Sequence, residues 1–238
     1  MLIPSERHRR ADLELWAEYE AADRIHGEWL SRSGKIERSI ESIRKFATDG
    51  PCYSGISWGK DSTVLFDLLS CAGFLFPRIW LTYGKATNPE CHLVRDCMLA
   101  THRGFDYREI DVGESEEMRD DFSPAVRSAK TNRYLSGIRA EESGIRRMSV
   151  RRLGIDTGNV CRPMAWWTVV DVFAYLAMRN LPVHPNYAML GNGRWPREYI
   201  RTASIGGDRG TEHGRREWER EYYPDILNRL AASNRIKK

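Results

Sequence analysis

Between residues 52 and 112 short apolar runs alternate with segments of helical periodicity, an order that few folds accept. Cys52 to Ile56 reads as a strand, Ser62 to Cys71 as a helix, Arg78 to Tyr83 as a strand, Pro89 to His102 as a helix, and Asp106 to Val112 as a strand with alternating apolar residues. The order βαβαβ with right-handed crossovers implies an α/β fold built on a doubly wound, mostly parallel sheet. Ahead of it, residues 5 to 47 carry helical spacing. Leu13, Trp16 and Tyr19 recur three apart, Ile25 and Trp29 four apart, and Ser31-Arg32-Ser33-Gly34 sets off a second stretch from Ile36 to Phe46. The expected organisation is an N-terminal helical hairpin over residues 1–48 followed by a core domain over residues 49–238.

Beyond the third strand, Gly113 to Asn132 starts acid-rich, contains Ser123-Pro124 and reads as a mobile loop or short helix over the strand ends. Tyr134 to Ile138 resumes as a strand, and Thr168 to Met178 as an amphipathic helix capped by Thr168. After Pro182 the chain is rich in glycine, then closes in helical segments from about Arg215 to Leu230, broken near Pro224.

Composition removes several function classes. The 238 residues are 41% hydrophobic and 29% charged, enough for a sizeable core. The mean hydropathy is −0.56. No apolar run approaches the 18 or so residues of a membrane span, and the start Met1-Leu2-Ile3-Pro4-Ser5-Glu6-Arg7 lacks the apolar core of a signal peptide, so a cytoplasmic location is expected. Five cysteines, an odd number, suit reduced thiols better than a disulfide framework. A net charge of +4 is small, yet 30 of the 37 basic residues are arginine. That bias fits recognition of phosphate by guanidinium forks, but a coding preference with no bearing on function is the weightier reading until the arginines are tied to a site.

The strongest local signal is Ser54-Gly55-Ile56-Ser57-Trp58-Gly59-Lys60-Asp61-Ser62-Thr63, between an expected strand and an expected helix. Small residues there let backbone N–H groups approach an anion at a helix N-terminus, Lys60 adds charge, and the hydroxyls of Ser57, Ser62 and Thr63 can donate. The Walker pattern needs Ser or Thr after Gly-Lys; here Asp61 follows, so that reading fails. An ordinary strand-to-helix turn capped by Asp61 or Ser62 is the competing interpretation.

The segment Ser57-Trp58-Gly59-Lys60-Asp61-Ser62 resembles the pyrophosphate-binding Ser-Gly-Gly-Lys-Asp-Ser loop of the adenine nucleotide α-hydrolase (PP-loop ATP pyrophosphatase) superfamily, in its phosphoadenylyl sulfate (PAPS) reductase branch. Three further stretches resemble that branch in order: Ser136-Gly137-Ile138-Arg139 with Glu142 and Arg146, Pro163 to Tyr175 with the turn Leu181 to Pro185, and Ser204-Ile205-Gly206-Gly207 with Gly214-Arg215 and Trp218-Glu219. The resemblance implies an adenine nucleotide, ATP or a PAPS-like adenylate, held by Ser57, Gly59, Lys60, Asp61, Ser62, Thr63, Arg139, Glu142 and Arg146. Within that set Lys60, Asp61 and Arg139 would be catalytic, and Asp61 would hold Mg²⁺.

The departures bear on the reaction. The family's reductases attack sulfur with a cysteine in a C-terminal Glu-Cys-Gly-Leu-His segment, and no cysteine follows Cys161 in these 238 residues. Gly207 stands where Ser-Ile-Gly-Cys has its cysteine, and Cys91 and Cys97, six apart, diverge by about 240° on a helix, so no iron–sulfur cluster is expected. Trp58 replaces a family glycine: its side chain must point away from the phosphates, or nucleotide affinity suffers. Cys161 beside Arg162 is either an activated thiol or a buried structural residue, Cys52 and Cys71 read as core, and His184 is an acid–base group or a turn residue. His92 and His102 read as members of a surface helix.

From Arg139 to Arg162 six arginines face three carboxylates, in a segment expected to flank the strand ends. Arg139 and then Arg146 are the first choices for phosphate contact, while Arg147, Arg151 and Arg152 read as a solvated helix face. The functional expectation is a PAPS-reductase-like ATP pyrophosphatase that cleaves at the α-phosphate and activates an acceptor, with sulfur transfer as one destination. The alternatives are PAPS reduction through Cys161, or an inactive nucleotide- or nucleic-acid-binding partner subunit. A homodimer or partner could use the N-terminal helices, nucleic acid could be the acceptor, and no membrane contact is expected.

Overall fold

In the computed structural model, which describes residues 1–113, 122–202, 204–206 and 212–236, the expected alternation is present. Two helices, α1 (Arg10–Arg32) and α2 (Lys35–Thr48), precede β1 (Tyr53–Ile56), α3 (Lys60–Cys71), β2 (Arg78–Thr82), α4 (Glu90–Thr101) and β3 (Tyr107–Asp111). There follow α5 (Ser123–Ala129), β4 (Tyr134–Leu135), α6 (Gly144–Leu153), β5 (Val160–Cys161), α7 (Val169–Met178), α8 (Arg215–Tyr222) and α9 (Pro224–Ile236). The first part of the acid-rich stretch after Gly113, and the positions of Gly207 and Gly210, lie outside the described residues.

All strand pairs of the sheet are parallel, in the order β3-β2-β1-β4-β5. The chain runs outward from β1 through β2 to β3, then returns to the other side of β1 to lay down β4 and β5. This reversal leaves a crevice beyond the carboxyl ends of β1 and β4, where open α/β sheets bind ligands.

The strand expected over Tyr134 to Ile138 stops at Leu135. The Ser136 hydroxyl accepts the N–H of Ile138 at 3.3 Å, turning the chain out of the sheet. A Cβ on Gly137 would stand 3.2 Å from the carbonyl oxygen of Asp61, so glycine allows this turn to lie against the start of α3. In the same way α3 begins at Lys60, two residues ahead of expectation. The Ser62 hydroxyl accepts from the Ser57 N–H at 3.2 Å and donates to the Gly59 carbonyl at 3.1 Å, drawing Lys60 and Asp61 into the first turn.

The N-terminal helices share the main core. Trp16 of α1 meets Phe173 of α7 edge-on at 6.0 Å, and Gly27 permits close approach, since a Cβ there would lie 3.0 Å from Met178 Cβ. Thr168 and Asp171 form a capping box at the start of α7, as the sequence suggested for Thr168. Asp171 also accepts from Lys35 Nζ at 2.6 Å.

Cys71 departs from its expected core position: it is exposed at the last turn of α3. One turn earlier Asp67 is buried and accepts from Tyr175 Oη at 2.6 Å and Arg179 Nε at 3.1 Å, with His102 Nε2 at 3.0 Å. Burial works against the charge of Asp67, but these partners outweigh it and hold the carboxyl at about 2. Depressed below its unfolded value near 3.8, Asp67 stabilises the fold above that value and loses the contribution as pH falls toward 2. In Asp67→Asn the unfolding free energy should therefore fall by roughly 2 kcal/mol at pH 7 and its acid dependence between pH 4 and 2 should flatten, as denaturant titrations at each pH would reveal. An unchanged acid limb would refute the assignment.

Candidate active site at the start of α3

The turn after β1 and the turn after β4 meet across the crevice. Lys60 Nζ lies 3.1 Å from Asp61 Oδ2, and Arg139 Nε donates to Asp61 Oδ1 at 2.6 Å. Arg139 Nη1 donates at 2.6 Å to Glu141, whose same oxygen accepts the N–H of Val169 at the start of α7. Glu142 pairs with Arg146 and stands 3.7 Å from Arg139. Lys60 and Arg139 are buried, at 8% and 3% exposure, and no flexible surface pair could keep such geometry. Desolvation opposes the charge of both members of the first pair; their mutual attraction overrides it, so Lys60 is raised, against the like charge of Arg139, and Asp61 is lowered, with the help of Arg139.

These groups line a polar cavity of about 450 Å³ together with Ser57, Gly59 and Ser62. Of the residues assigned from sequence, Ser57, Gly59, Lys60, Asp61, Ser62, Arg139, Glu142 and Arg146 all reach it. Thr63 does not line it: it is buried in the first turn of α3, where its N–H bonds the Gly59 carbonyl. The cavity wall also carries Glu198, Tyr199, Arg201, Thr202, His213 and Tyr187. Tyr187 Oη accepts the Lys60 N–H at 3.0 Å and its ring lies 5.4 Å from Lys60 Nζ. None of these six was legible beforehand, because the chain after Pro182 has no periodicity that places it over α3. Among the described residues the cavity is lined by four cations and four carboxylates, and Arg201 is the cation that reaches none of those carboxylates.

Ser57 and Thr202 also line a second cavity, of about 440 Å³ and largely apolar, formed at the ends of β1, β2 and β4 and covered by α5. Its walls include Ile79, Leu81, Tyr83, Val126, Tyr134 and Ile138. Cys91 holds the junction of the two cavities. Its thiol lies 3.7 Å from the Ser57 carbonyl and 3.6 Å from that of Thr202, and burial pushes it far above the ordinary thiol range. His184 Nε2 lies 3.5 Å from the same sulfur, while Nδ1 accepts the Asn186 N–H. Burial lowers His184 to about 3, so it stays neutral and serves the turn; of its two readings, acid–base chemistry near pH 7 is the one that fails.

Trp58 resolves its alternatives. It takes φ +59°, the left-handed region natural to the glycine of the related loop, and its ring is fully buried among Phe66, Trp80 and Tyr107. The side chain points away from the polar cavity, leaving the loop backbone facing it.

Residues 51–191 match the family described as phosphoadenosine phosphosulfate reductase domain. The chain belongs to that family. Among solved structures it is similar to the phosphoadenylyl-sulfate (PAPS) reductase from Candida auris in its phosphate complex, at 16% identity and a TM-score of 0.49, over 77% of this chain and 96% of that one. No curated protein matches. No helix among the described residues is long and apolar enough to cross a membrane.

Within this PAPS reductase domain, Cys161 is no activated thiol. It is fully buried on β5, lines neither cavity, and is pushed up to about 12 by burial despite the neighbouring Arg162. Cys52 is likewise buried and pushed up to about 11. On α4 Cys91 is buried and Cys97 exposed, diverging as their spacing required.

Proposed function

We propose that this member of the family binds an adenine nucleotide across both cavities and breaks the bond between its α- and β-phosphates, passing the adenylyl group to an acceptor. One observation carries the reading: the buried Lys60–Asp61–Arg139 cluster lies at the N-terminus of α3, in a polar cavity joined through Ser57 and Thr202 to an apolar one of nearly equal volume. The apolar cavity suits a nucleoside, and the polar one suits a polyphosphate. Lys60 and Arg139, already desolvated and held in place by carboxylates, are preorganised for negative charge developing on the phosphates, which is where such groups contribute most. Asp61, kept ionised and lining the polar cavity, is the oxygen donor that would hold magnesium, because that ion takes one or two carboxylates and shares the rest of its shell with phosphates. When bound, it would neutralise charge on the departing pyrophosphate. Glu142 keeps Arg146 at the wall, and the exposed side of the cavity is left to the acceptor.

The test is pyrophosphate release from Mg-ATP. Lys60→Ala and Asp61→Ala are each expected to slow it by about a hundredfold, the usual cost of one preorganised group. Absence of nucleotide binding by calorimetry in the wild-type protein would overturn the reading. The rival, reduction of PAPS through Cys161, would instead show sulfite release abolished by Cys161→Ser; the burial of that thiol disfavours it.

A further inference from the structure

Two N–H groups of the turn between β1 and α3 are already spent within the protein. That of Ser57 is taken by Ser62 Oγ at 3.2 Å and that of Lys60 by Tyr187 Oη at 3.0 Å. A phosphate lying against this turn therefore needs donors from elsewhere. The facing wall of the cavity offers two groups that the nucleotide reading has not used, the Thr202 hydroxyl and the Arg201 guanidinium. Neither makes a hydrogen bond or ion pair among the described residues.

Thr202 stands against the turn itself. Gly59 has φ −78°, a value open to any residue, so its backbone does not call for glycine. The wall does: a Cβ there would lie 2.6 Å from Thr202 Oγ1 and 3.3 Å from Tyr187 Oη. The Thr202 hydroxyl is thus wedged against the residue that opens α3, and Thr202, like Ser57, lines both cavities.

Arg201 lines the polar cavity alone. Its main chain is fixed by buried Arg215, which pairs with Glu219 and donates to the carbonyls of Arg201 at 3.0 Å and Ser204 at 3.2 Å. The Ile205 N–H adds a bond to the Ala86 carbonyl at 2.8 Å. A side chain without a partner on an anchored backbone is a donor that loses little freedom when an anion arrives. Its charge is also felt by Arg146, which burial and then Arg201 hold below the usual guanidinium range. An anion beside both would relieve that repulsion.

We propose that this wall is the second half of the phosphate site, Thr202 binding the α-phosphate and Arg201 the phosphates beyond it, so that the site selects nucleoside triphosphates over monophosphates. The assignment rests on the nucleotide reading above. With the nucleoside in the apolar cavity and the polyphosphate in the polar one, the α-phosphate lies at their junction, which Ser57 and Thr202 mark. A hydroxyl there donates one bond to one oxygen. Farther along, the planar fork of Arg201 can span two oxygens of the outer phosphates, beside Arg146.

Calorimetry with adenosine, AMP, ADP and ATP in magnesium-containing buffer separates the two contacts. The wild-type protein is expected to bind ATP more tightly than AMP. Arg201→Ala should weaken ADP and ATP by about tenfold or more and leave AMP and adenosine unchanged. Arg201→Lys should recover only part of the loss, since an ammonium lacks the fork. Thr202→Val keeps the shape of the wedge and removes the donor. It should weaken AMP, ADP and ATP alike, by about tenfold, as for one hydrogen bond to a charged group, with adenosine unchanged. Loss of adenosine affinity in either variant would show a displaced wall and overturn the assignment, as would equal loss of AMP and ATP in Arg201→Ala. A wild-type protein that binds none of the four ligands overturns the nucleotide reading and this proposal with it. One that binds ATP, with Arg201→Ala binding it equally well, overturns this proposal alone.

Discussion

Trp58→Ala is expected to lower the unfolding free energy by about 3–5 kcal/mol, the usual cost of truncating a large buried aromatic side chain. Trp58 has no exposed surface, and its ring stands 5.3 Å from Phe66, 6.3 Å from Trp80 and 5.7 Å from Tyr107, so the vacated space is walled by rings that cannot collapse into it without moving β2 and β3. The backbone adds a second, independent signature. At φ +59° any Cβ is disfavoured, and only glycine escapes the penalty. Trp58→Gly should therefore be at least as stable as Trp58→Ala, by up to about 1 kcal/mol, the reverse of the order found at ordinary positions. Urea titrations with unchanged m-values would give both quantities. A loss below about 1 kcal/mol for alanine, or alanine more stable than glycine, would contradict this account of how a tryptophan occupies a glycine position.

Trp58 also marks the boundary of what the sequence can convey. The alternation from Cys52 to Val112 was enough to order β1, α3, β2, α4 and β3, because each element carries its own period. The charged members of the site were likewise visible as residue types beside small residues. Their meeting was not, since Asp61 and Arg139 are 78 positions apart and come together only because β4 returns to pair with β1. The sign of φ at Trp58, which decides whether its ring faces phosphate or core, has no trace in composition. Nor has the path of residues 187–202, which place Tyr187, Arg201 and Thr202 on the cavity wall through long-range packing, with one short 3-10 turn at Pro185–Ala188. Cys71 was misread as core because the apolar run around it is genuine; the helix ends there, and its last turn faces outward.

That wall depends on the N-terminal helices, which is why Asp23→Ala should be as damaging as a deep core truncation. Arg197, immediately ahead of the wall residues Glu198 to Thr202, is buried and donates through both fork nitrogens to Asp23 of α1, at 2.5 and 2.6 Å. Its guanidinium lies over the rings of Phe173 at 4.1 Å and Tyr19 at 4.6 Å. A second tie from α1 holds the same region, Asp12 accepting the Asn192 N–H at 2.7 Å. Removing Asp23 leaves a buried guanidinium with its carboxylate gone, and breaking a buried pair from one side costs about 3–5 kcal/mol. The expected result is a loss of that size in denaturant titrations, together with weaker Mg-ATP binding as the wall residues shift. Asp23→Leu combined with Arg197→Met removes both charges and keeps apolar volume, so it should recover most of the stability. If the single substitution costs less than 1 kcal/mol, or the double one costs as much as the single, the pair is not what holds this wall. Full recovery of stability with nucleotide binding still impaired would instead show that the fork's geometry, beyond its contribution to folding, sets the position of Arg201 and Thr202 over the start of α3.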